Sequence, residues 1–435
     1  MNTLKHSLEL AGRNLIAMLS PSHGYLPYFW MRYDKQKRAR MEMFWASHNV
    51  GRWWDAMLRL EAATGFQIPG EIEKAMLGNL KSCLEGPLGV CRHIPENCAF
   101  DGHSHREIFL ALAALVRFRN STWAREAGRQ LAKTLDRYIL SDGSWDVGLM
   151  GRLAGQAGTT IEHPKGHMKY FNWHPLATHG RMIEGLVEFH LASGNEDALK
   201  LADRLACFHF EHSTRPDGSV PPAEYTHTHS LLGLYRGLLL YGKTASRPEY
   251  VDRVLAAYIN SIRPAFKPSG FISHDWGRDT RGETAAPGDA AQLALWLTQA
   301  GKGDFLDDAE KWVRCRILPS QITEAPGLIP QADDGRDEHL RLDERALGAF
   351  GGMHMHPHGG KCPTTDITAA DLHSLCDFHT NVSEELDSGA ENDAPCRLTE
   401  ETLEGVTYRL QWKGHEIAGI SPNADFLPFY PDIKN

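Results

Sequence analysis

Apolar residues along this chain recur at helical spacing, in blocks that come in pairs. The first block of each pair is apolar almost throughout, as in Ile108 to Phe118, Met182 to Ala192, Leu231 to Tyr241 and Ala290 to Leu297. The second keeps charge on one face, as in Trp123 to Tyr138, Asp197 to Phe210, Tyr250 to Ile262 and Leu306 to Leu318. An all-round apolar helix is a buried helix, and a striped one faces solvent. Each pair therefore predicts an inner helix followed by an outer one. The turns within the pairs carry helix-stop and helix-start residues: Ala63-Thr64-Gly65-Phe66, Arg119-Asn120-Ser121-Thr122, Ser193-Gly194-Asn195-Glu196, Gly242-Lys243-Thr244 and Ala300-Gly301-Lys302-Gly303.

Two further pairs complete the set: Trp45 to Ala63 with Ile72 to Leu84, and Thr365 to Val382 with the amphipathic N-terminal segment. About six hairpins predict an all-α (α/α)6 toroid over residues 1–397. Beyond it the period changes. Val406 to Trp412 alternates, Lys413-Gly414-His415 can turn, and Glu416 to Ile420 can return, which predicts a small β appendage over 398–435. Gly351 to Lys361 and Asp387 to Cys396 read as loops.

Composition narrows the function classes. With 42% apolar and 23% charged residues in 435, the chain is an ordinary globular protein with material for a large core. A formal charge of −9 speaks against capture of nucleic acid or an anionic membrane, and the basic run Lys35 to Arg40 is short. Polar and charged residues interrupt the apolar stretch of Met1 to Ser20, so we expect neither a signal peptide nor a membrane span, and a cytoplasmic location. Eight cysteines without a CxxC pair predict reduced thiols. The unusual feature is 23 His and 11 Trp, residue types that line pockets for polar ligands.

If the inner helices begin at one rim, the long loops before them converge into a mouth. Those loops hold the histidines, tryptophans and acids. His103 and His105, with Glu107, fit either recognition of sugar hydroxyls or a capping segment with Ser104 as cap. Trp173 and His174 fit a stacking platform with an adjacent proton carrier, or a packed loop; His179 and Glu184, on the next helix, read as satisfied core groups. Tyr225, His227 and His229 fit substrate contacts or acid/base work. No third metal ligand is visible near the two histidines, so no metal is expected there. The His354 to His358 run reads as a loop. Asp275, Asp279 and Glu283 are the acids of most interest, because a proton donor to a glycosidic oxygen needs a partly desolvated place, such as Asp275 beside Trp276; Trp276 and Arg278 are expected to contact the substrate.

Several segments resemble a known group of enzymes. Arg281 to Asp289, Leu293 to Leu297, Asp307 to Trp312, Pro319-Ser320-Gln321, Gly360 to Thr364, Tyr408 to Trp412, Ile420-Ser421-Pro422 and Leu427 to Tyr430 are similar to the six-hairpin glycosidases. The nearest likeness is to glycoside hydrolase family 127, the β-L-arabinofuranosidases, over the last third of the chain. In that family a glutamate and three cysteines hold zinc, and one cysteine is the nucleophile. The resemblance puts the glutamate at Glu283 and the nucleophile at Cys362. Ala285 stands where a ligand cysteine is expected, and Lys361 replaces a second one, which leaves too few thiolates for a cysteine-rich zinc site. We therefore expect no cofactor.

Three readings follow: a glycoside hydrolase-like enzyme for a sugar or oligosaccharide, with its acids in the Asp275 to Glu283 loop; a toroid-fold lyase or sugar epimerase working through Tyr225 and His227; and a non-catalytic glycan-binding or structural protein. The leading reading implies a carbohydrate substrate as partner, and the oligomeric state is left open.

Overall fold

The structure is a computed structural model and describes residues 4–33, 36–92, 100–159, 161, 176–220, 227–278, 282–350, 363–386, 397–402, 405–412 and 415–422. Twelve helices build its main body: α1 (Leu4–Ala17), α2 (Ala46–Thr64), α3 (Gly70–Leu84), α4 (His105–Arg119), α5 (Thr122–Asp136), α6 (Met182–Ser193), α7 (Glu196–His212), α8 (Thr228–Thr244), α9 (Pro248–Ala257), α10 (Ala285–Gln299), α11 (Leu306–Trp312) and α12 (Thr365–Leu386).

The even-numbered helices pack side by side in a closed ring, α2 on α4, then α6, α8, α10, α12 and back to α2. Each odd-numbered helix lies against a neighbour in that ring: α3 on α2, α5 on α4, α7 on α6, α9 on α8, α11 on α10 and α1 on α12. This is the (α/α)6 toroid, with inner helix preceding outer helix in every hairpin except the one that α1 and α12 close.

The local signals for these helices are the ones the turns carry. Gly65 and Gly194 take left-handed backbone conformations at φ 81° and 71° and end α2 and α6. Asn120 does the same for α4 at φ 48°, and Ser121 then caps α5 by accepting from Ala124 N at 3.1 Å. Asn195 caps α7 in the same way. The inner helices are buried on nearly all sides, through residues such as Trp53, Phe109, Leu186, Tyr235, Leu293 and Leu372. Close approach within the ring depends on small residues. A Cβ added at Gly51 of α2 would sit 2.6 Å from the carbonyl carbon of Glu107 on α4.

Two sheets accompany the helices. Strands β1 (Leu19–Ser20), β2 (Leu26–Tyr33), β3 (Arg38–Phe44) and β4 (Ile329–Pro330) form one in that order, with a second small core of Met18, Tyr28, Met31, Met41, Ile322 and Leu342. The hydrophobic pattern does not predict this sheet. Strand β2 buries residues from both faces in succession, so it has no period of two, and the remote partners, Pro363 for β2 and β4 for β3, are invisible to local reading. The basic residues Arg32 and Arg40 both pair with Glu42 across or along the sheet. Near the C-terminus, β5 (Arg397–Thr402), β6 (Gly405–Trp412) and β7 (His415–Pro422) form an antiparallel three-stranded sheet. Among the described residues no helix is long and apolar enough to cross a membrane.

Candidate functional site

Every inner helix brings a charged or histidine side chain to one end of the toroid, in its first turn or just before it. From α2 comes His48, from α4 Glu107 with His103 ahead of it, and from the approach to α6 Arg181. His227 and His229 come from the start of α8, Glu283 precedes α10, and Asp366 opens α12. Contacts join them across the axis. His48 Nε2 lies 2.6 Å from Asp366 Oδ1; Arg52 Nη2 donates to His229 Nε2 at 2.8 Å; Arg181 Nη2 donates to Glu107 Oε1 at 2.6 Å and to His229 Nε2 at 3.2 Å. Two acceptances at Nε2 fix the His229 proton on Nδ1, which faces Asp289 Oδ2 at 2.5 Å.

One side of this mouth is held by arginine. Glu107 is fully buried, and the charges of Arg181, His48, Arg52 and Arg106 outweigh its burial and keep its carboxyl well below the usual range. Arg52 and His48 do the same for Asp366. His103 packs against Trp45 and His48, and burial together with the charge of Arg181 keeps it neutral. Within this packed group His48 Nδ1, His103 Nδ1, Glu107 Oε2 and Arg181 Nε have no hydrogen-bond partner among the described residues.

The other side is held by histidine. The loop before α10 and the start of α8 are tied by a backbone bridge between His227 and Asp275, with Thr228 N donating to the His274 carbonyl at 2.8 Å. This brings the His227 and His274 rings to 4.3 Å. His227 Nε2 lies 2.8 Å from Glu283 Oε1, and its Nδ1 lies 3.1 Å from Ser230 Oγ. His274 Nδ1 lies 2.8 Å from Asp275 Oδ1. Burial raises the Glu283 carboxyl, but His227, His274 and His229 outweigh it and bring its pKa down to about 2. Ligand atoms of His227, His274 and Glu283 all fall within 4.8 Å of one another, a spacing open to a metal ion.

Below the mouth a second tier fills the axis. Arg236 pairs with Glu184 and Asp289, Arg106 with Glu184, and Asp55 with Arg59 and His373. A cavity of about 10 Å³, room for about one water, lies among Arg52, Asp55, Arg106, His229, Arg236, Asp289 and His373.

Of the residues singled out in sequence, His103, His227, His229, Asp275 and Glu283 gather at the mouth. Glu107 is the centre of an arginine cluster; it does not complete a capping box, and Ser104 donates to Asp101 Oδ2 instead. His105 is fully buried in the wall, its Nε2 facing the Cys91 amide at 3.4 Å and its Nδ1 facing the Gly102 carbonyl at 3.3 Å, and burial lowers its pKa to about 4. Trp276 is partly buried against the core, and Arg278 is exposed. His179 and Glu184 are buried and bonded, to His209 and to Arg106 and Arg236. Asp279, Cys362, Trp173, His174, Tyr225 and the His354 to His358 run lie outside the described residues. Sequence reading missed His48, Arg52, Arg181 and Asp366. Position in the first turns of the inner helices was the signal that would have found His48 and Asp366.

No protein-family profile matches this chain, and no curated protein does either. Solved structures do match. An unsaturated glucuronyl hydrolase specific for heparin aligns with TM-score 0.56 at 12% identity, covering 88% of this chain and 98% of its own. An inactive variant of the α-1,6-mannanase of Salegentibacter sp. HEL1_6, in complex with α-1,6-mannotriose, aligns with TM-score 0.56 at 9% identity, covering 87% and 99%. The unsaturated glucuronyl hydrolase of Bacillus sp. GL1, responsible for glycosaminoglycan degradation, gives 0.53 at 14%, covering 86% and 94%. The chain shares the (α/α)6 toroid fold of these structures. At such low identity the likeness establishes the fold alone, since function belongs to the site and not to the scaffold.

Proposed function

We propose that this protein is a glycoside hydrolase-like enzyme that works on a sugar or oligosaccharide at the inner-helix rim. The observation that carries the reading is the His227–Glu283 pair, an ionised, buried carboxylate held at the mouth beside the half-exposed Asp275. Glu283, Glu107 and Asp366 all have depressed pKa values and stay ionised. None of the three suits proton donation near neutrality. Asp275, with a side chain 24% exposed and held by His274, is the proposed donor; Glu283 is the proposed partner that stabilises or attacks the developing positive charge. His227 orients Glu283, and the neutral His103 with Trp45 offers a polar and stacking surface for the sugar.

The finer likeness to family 127 is part of the same proposal. It is supported by the Arg281 to Asp289 segment, whose Glu283 stands beside His227 at the start of α10. Thiolate attack by Cys362 is not part of it, because Ala285 and Lys361 remove the thiols that would accompany it.

The test is product release from a panel of glycosides and oligosaccharides by wild type, Asp275→Asn, Glu283→Gln and His227→Ala, with sugar binding followed by calorimetry. Loss of turnover in the two acid variants with sugar binding retained is the expected result. Full activity in both, with loss in His227→Ala, would move the chemistry to a lyase or epimerase. Sugar binding without product from any substrate would make the protein a glycan binder.

A further inference from the structure

Several buried carboxylates around the toroid axis share one solution to their charge, while Asp101 and Asp371 are held by hydroxyl and indole donors. Asp55 pairs with Arg59, Glu107 with Arg181, Arg52 and Arg106, Glu184 with Arg106 and Arg236, Asp289 with Arg236, and Asp366 with Arg52. Glu283 follows neither solution. Its side chain is 3% exposed, and among the described residues its only ion-pair partner is His227. A buried carboxylate without a fixed positive charge is costly. What lies beside it is not an arginine but two imidazoles.

We propose that His227, His274 and Glu283 form a binding site for a divalent cation of the zinc class, independent of whether the protein hydrolyses a glycoside. The donor set of two imidazole nitrogens and one carboxylate oxygen is suited to such a borderline cation. To reach the ~3.4 Å spacing of tetrahedral ligands ~2.1 Å from a metal, ligand atoms up to 4.8 Å apart need to close by up to about 1.4 Å, while the 2.8 Å His227–Glu283 contact opens by about 0.6 Å. The outer partners are those a metal site uses. Asp275 engages Nδ1 of His274 and Ser230 engages Nδ1 of His227, so each ring is oriented through one nitrogen and has Nε2 left as the ligand atom. The backbone bridge between His227 and Asp275 fixes the two loops that deliver the rings. This set differs from the glutamate and cysteines that the resemblance implies. Ala285 has no donor, and the described residues supply nitrogen where that set supplies sulfur.

The experiment uses the full-length protein stripped with a chelator and dialysed against Zn²⁺ or Co²⁺ alone, with no substrate. The expected result is close to one equivalent bound, a rise in Tm on adding Zn²⁺, and a Co²⁺ spectrum with visible ligand-field bands but no near-ultraviolet thiolate charge-transfer band. Stoichiometry falls at least tenfold in His274→Ala and in His227→Ala, and is unchanged in Cys362→Ser. Should the His227 variant fail to fold by circular dichroism, His274→Ala decides. No metal bound by wild type would overturn the proposal. So would binding untouched by His274→Ala, or a thiolate band that disappears in Cys362→Ser. Because the assay contains no sugar, failure of the glycosidase reading leaves this result standing, and the converse also holds.

Discussion

The two sides of the mouth solve the same electrostatic problem differently. On the side of α2, α4, α6 and α12, carboxylates meet arginines whose charge is permanent, and the groups are locked into one arrangement. On the side of α8 and α10, Glu283 meets histidines, whose charge and ligands can change. Fixed pairs build a frame. Groups that can exchange a proton or a cation are the ones able to take part in chemistry, which is why the same residue class, a buried acid, is structural on one side and a candidate for function on the other.

The strongest way to break this contrast is to remove one acid from the histidine side. Glu283→Gln is nearly isosteric and should lower kcat/KM on any accepted glycoside by about 10²–10⁴-fold, with a change in unfolding free energy of no more than about 1–2 kcal/mol. Kinetics and urea unfolding of the same sample separate the two. A variant that unfolds while the residual folded fraction stays fully active would erase the distinction.

Next in size, Arg236→Ala on the arginine scaffold should cost about 3–5 kcal/mol of stability, because in a fully buried place Asp289 loses its arginine and Glu184 keeps only Arg106 of its two. Chemical denaturation measures it directly. Tm unchanged from wild type would mean that these pairs are not the frame.

A pH titration of stability should resolve the two chemistries in sequence. Burial depresses the pKa of His103, His105, His179, His209 and His229 below the usual 6.5, to about 4 for His105 and about 3 for His179. These rings stay neutral in the folded chain while the unfolded chain takes up protons, so stability is complete above about pH 6.5 and falls as the pH drops toward 4. Each such histidine contributes about 1.4 kcal/mol per pH unit in that window. The carboxylates Glu107, Asp366 and Glu283, with depressed pKa values, add their loss only below about 4.5. Stability independent of pH between 6.5 and 4.5 would contradict the buried neutral histidines.

The smallest effect lies away from the axis and serves as a control. Ser121→Ala removes the cap of α5 and should cost about 1 kcal/mol without altering turnover.

How much of this was legible before folding depends on range. Gly65, Asn120, Ser121, Gly194 and Asn195 announce their turns locally, so the hairpins and their inner and outer order are readable from the chain. The site is only half readable. His227 and Glu283 stand out by type and by loop, but 56 residues separate them and nothing local says that they touch. Arg52 and Arg181 look like ordinary helix-face charges until the ring closes and turns them inward. His105 shows the opposite error: its type and neighbours resemble His103, yet its ring points into the wall, because successive helix positions face different directions. The β2 and β3 pair was hidden because β2 buries residues from both faces and so lacks the period of two that marks a strand.

The hairpin between α1 and α12 has a consequence for how the protein is made. Its outer helix is synthesised first and its inner partner roughly 350 residues later, which at ribosomal rates is a delay of about 20–70 s. Throughout that interval Leu8, Ala11 and Leu15 have no inner helix α12 to cover them, and α2 has only one of its two ring neighbours. Until α12 is made, the sides of α1, α2 and α10 that it covers have no partner, and the ring closes only with that last inner helix.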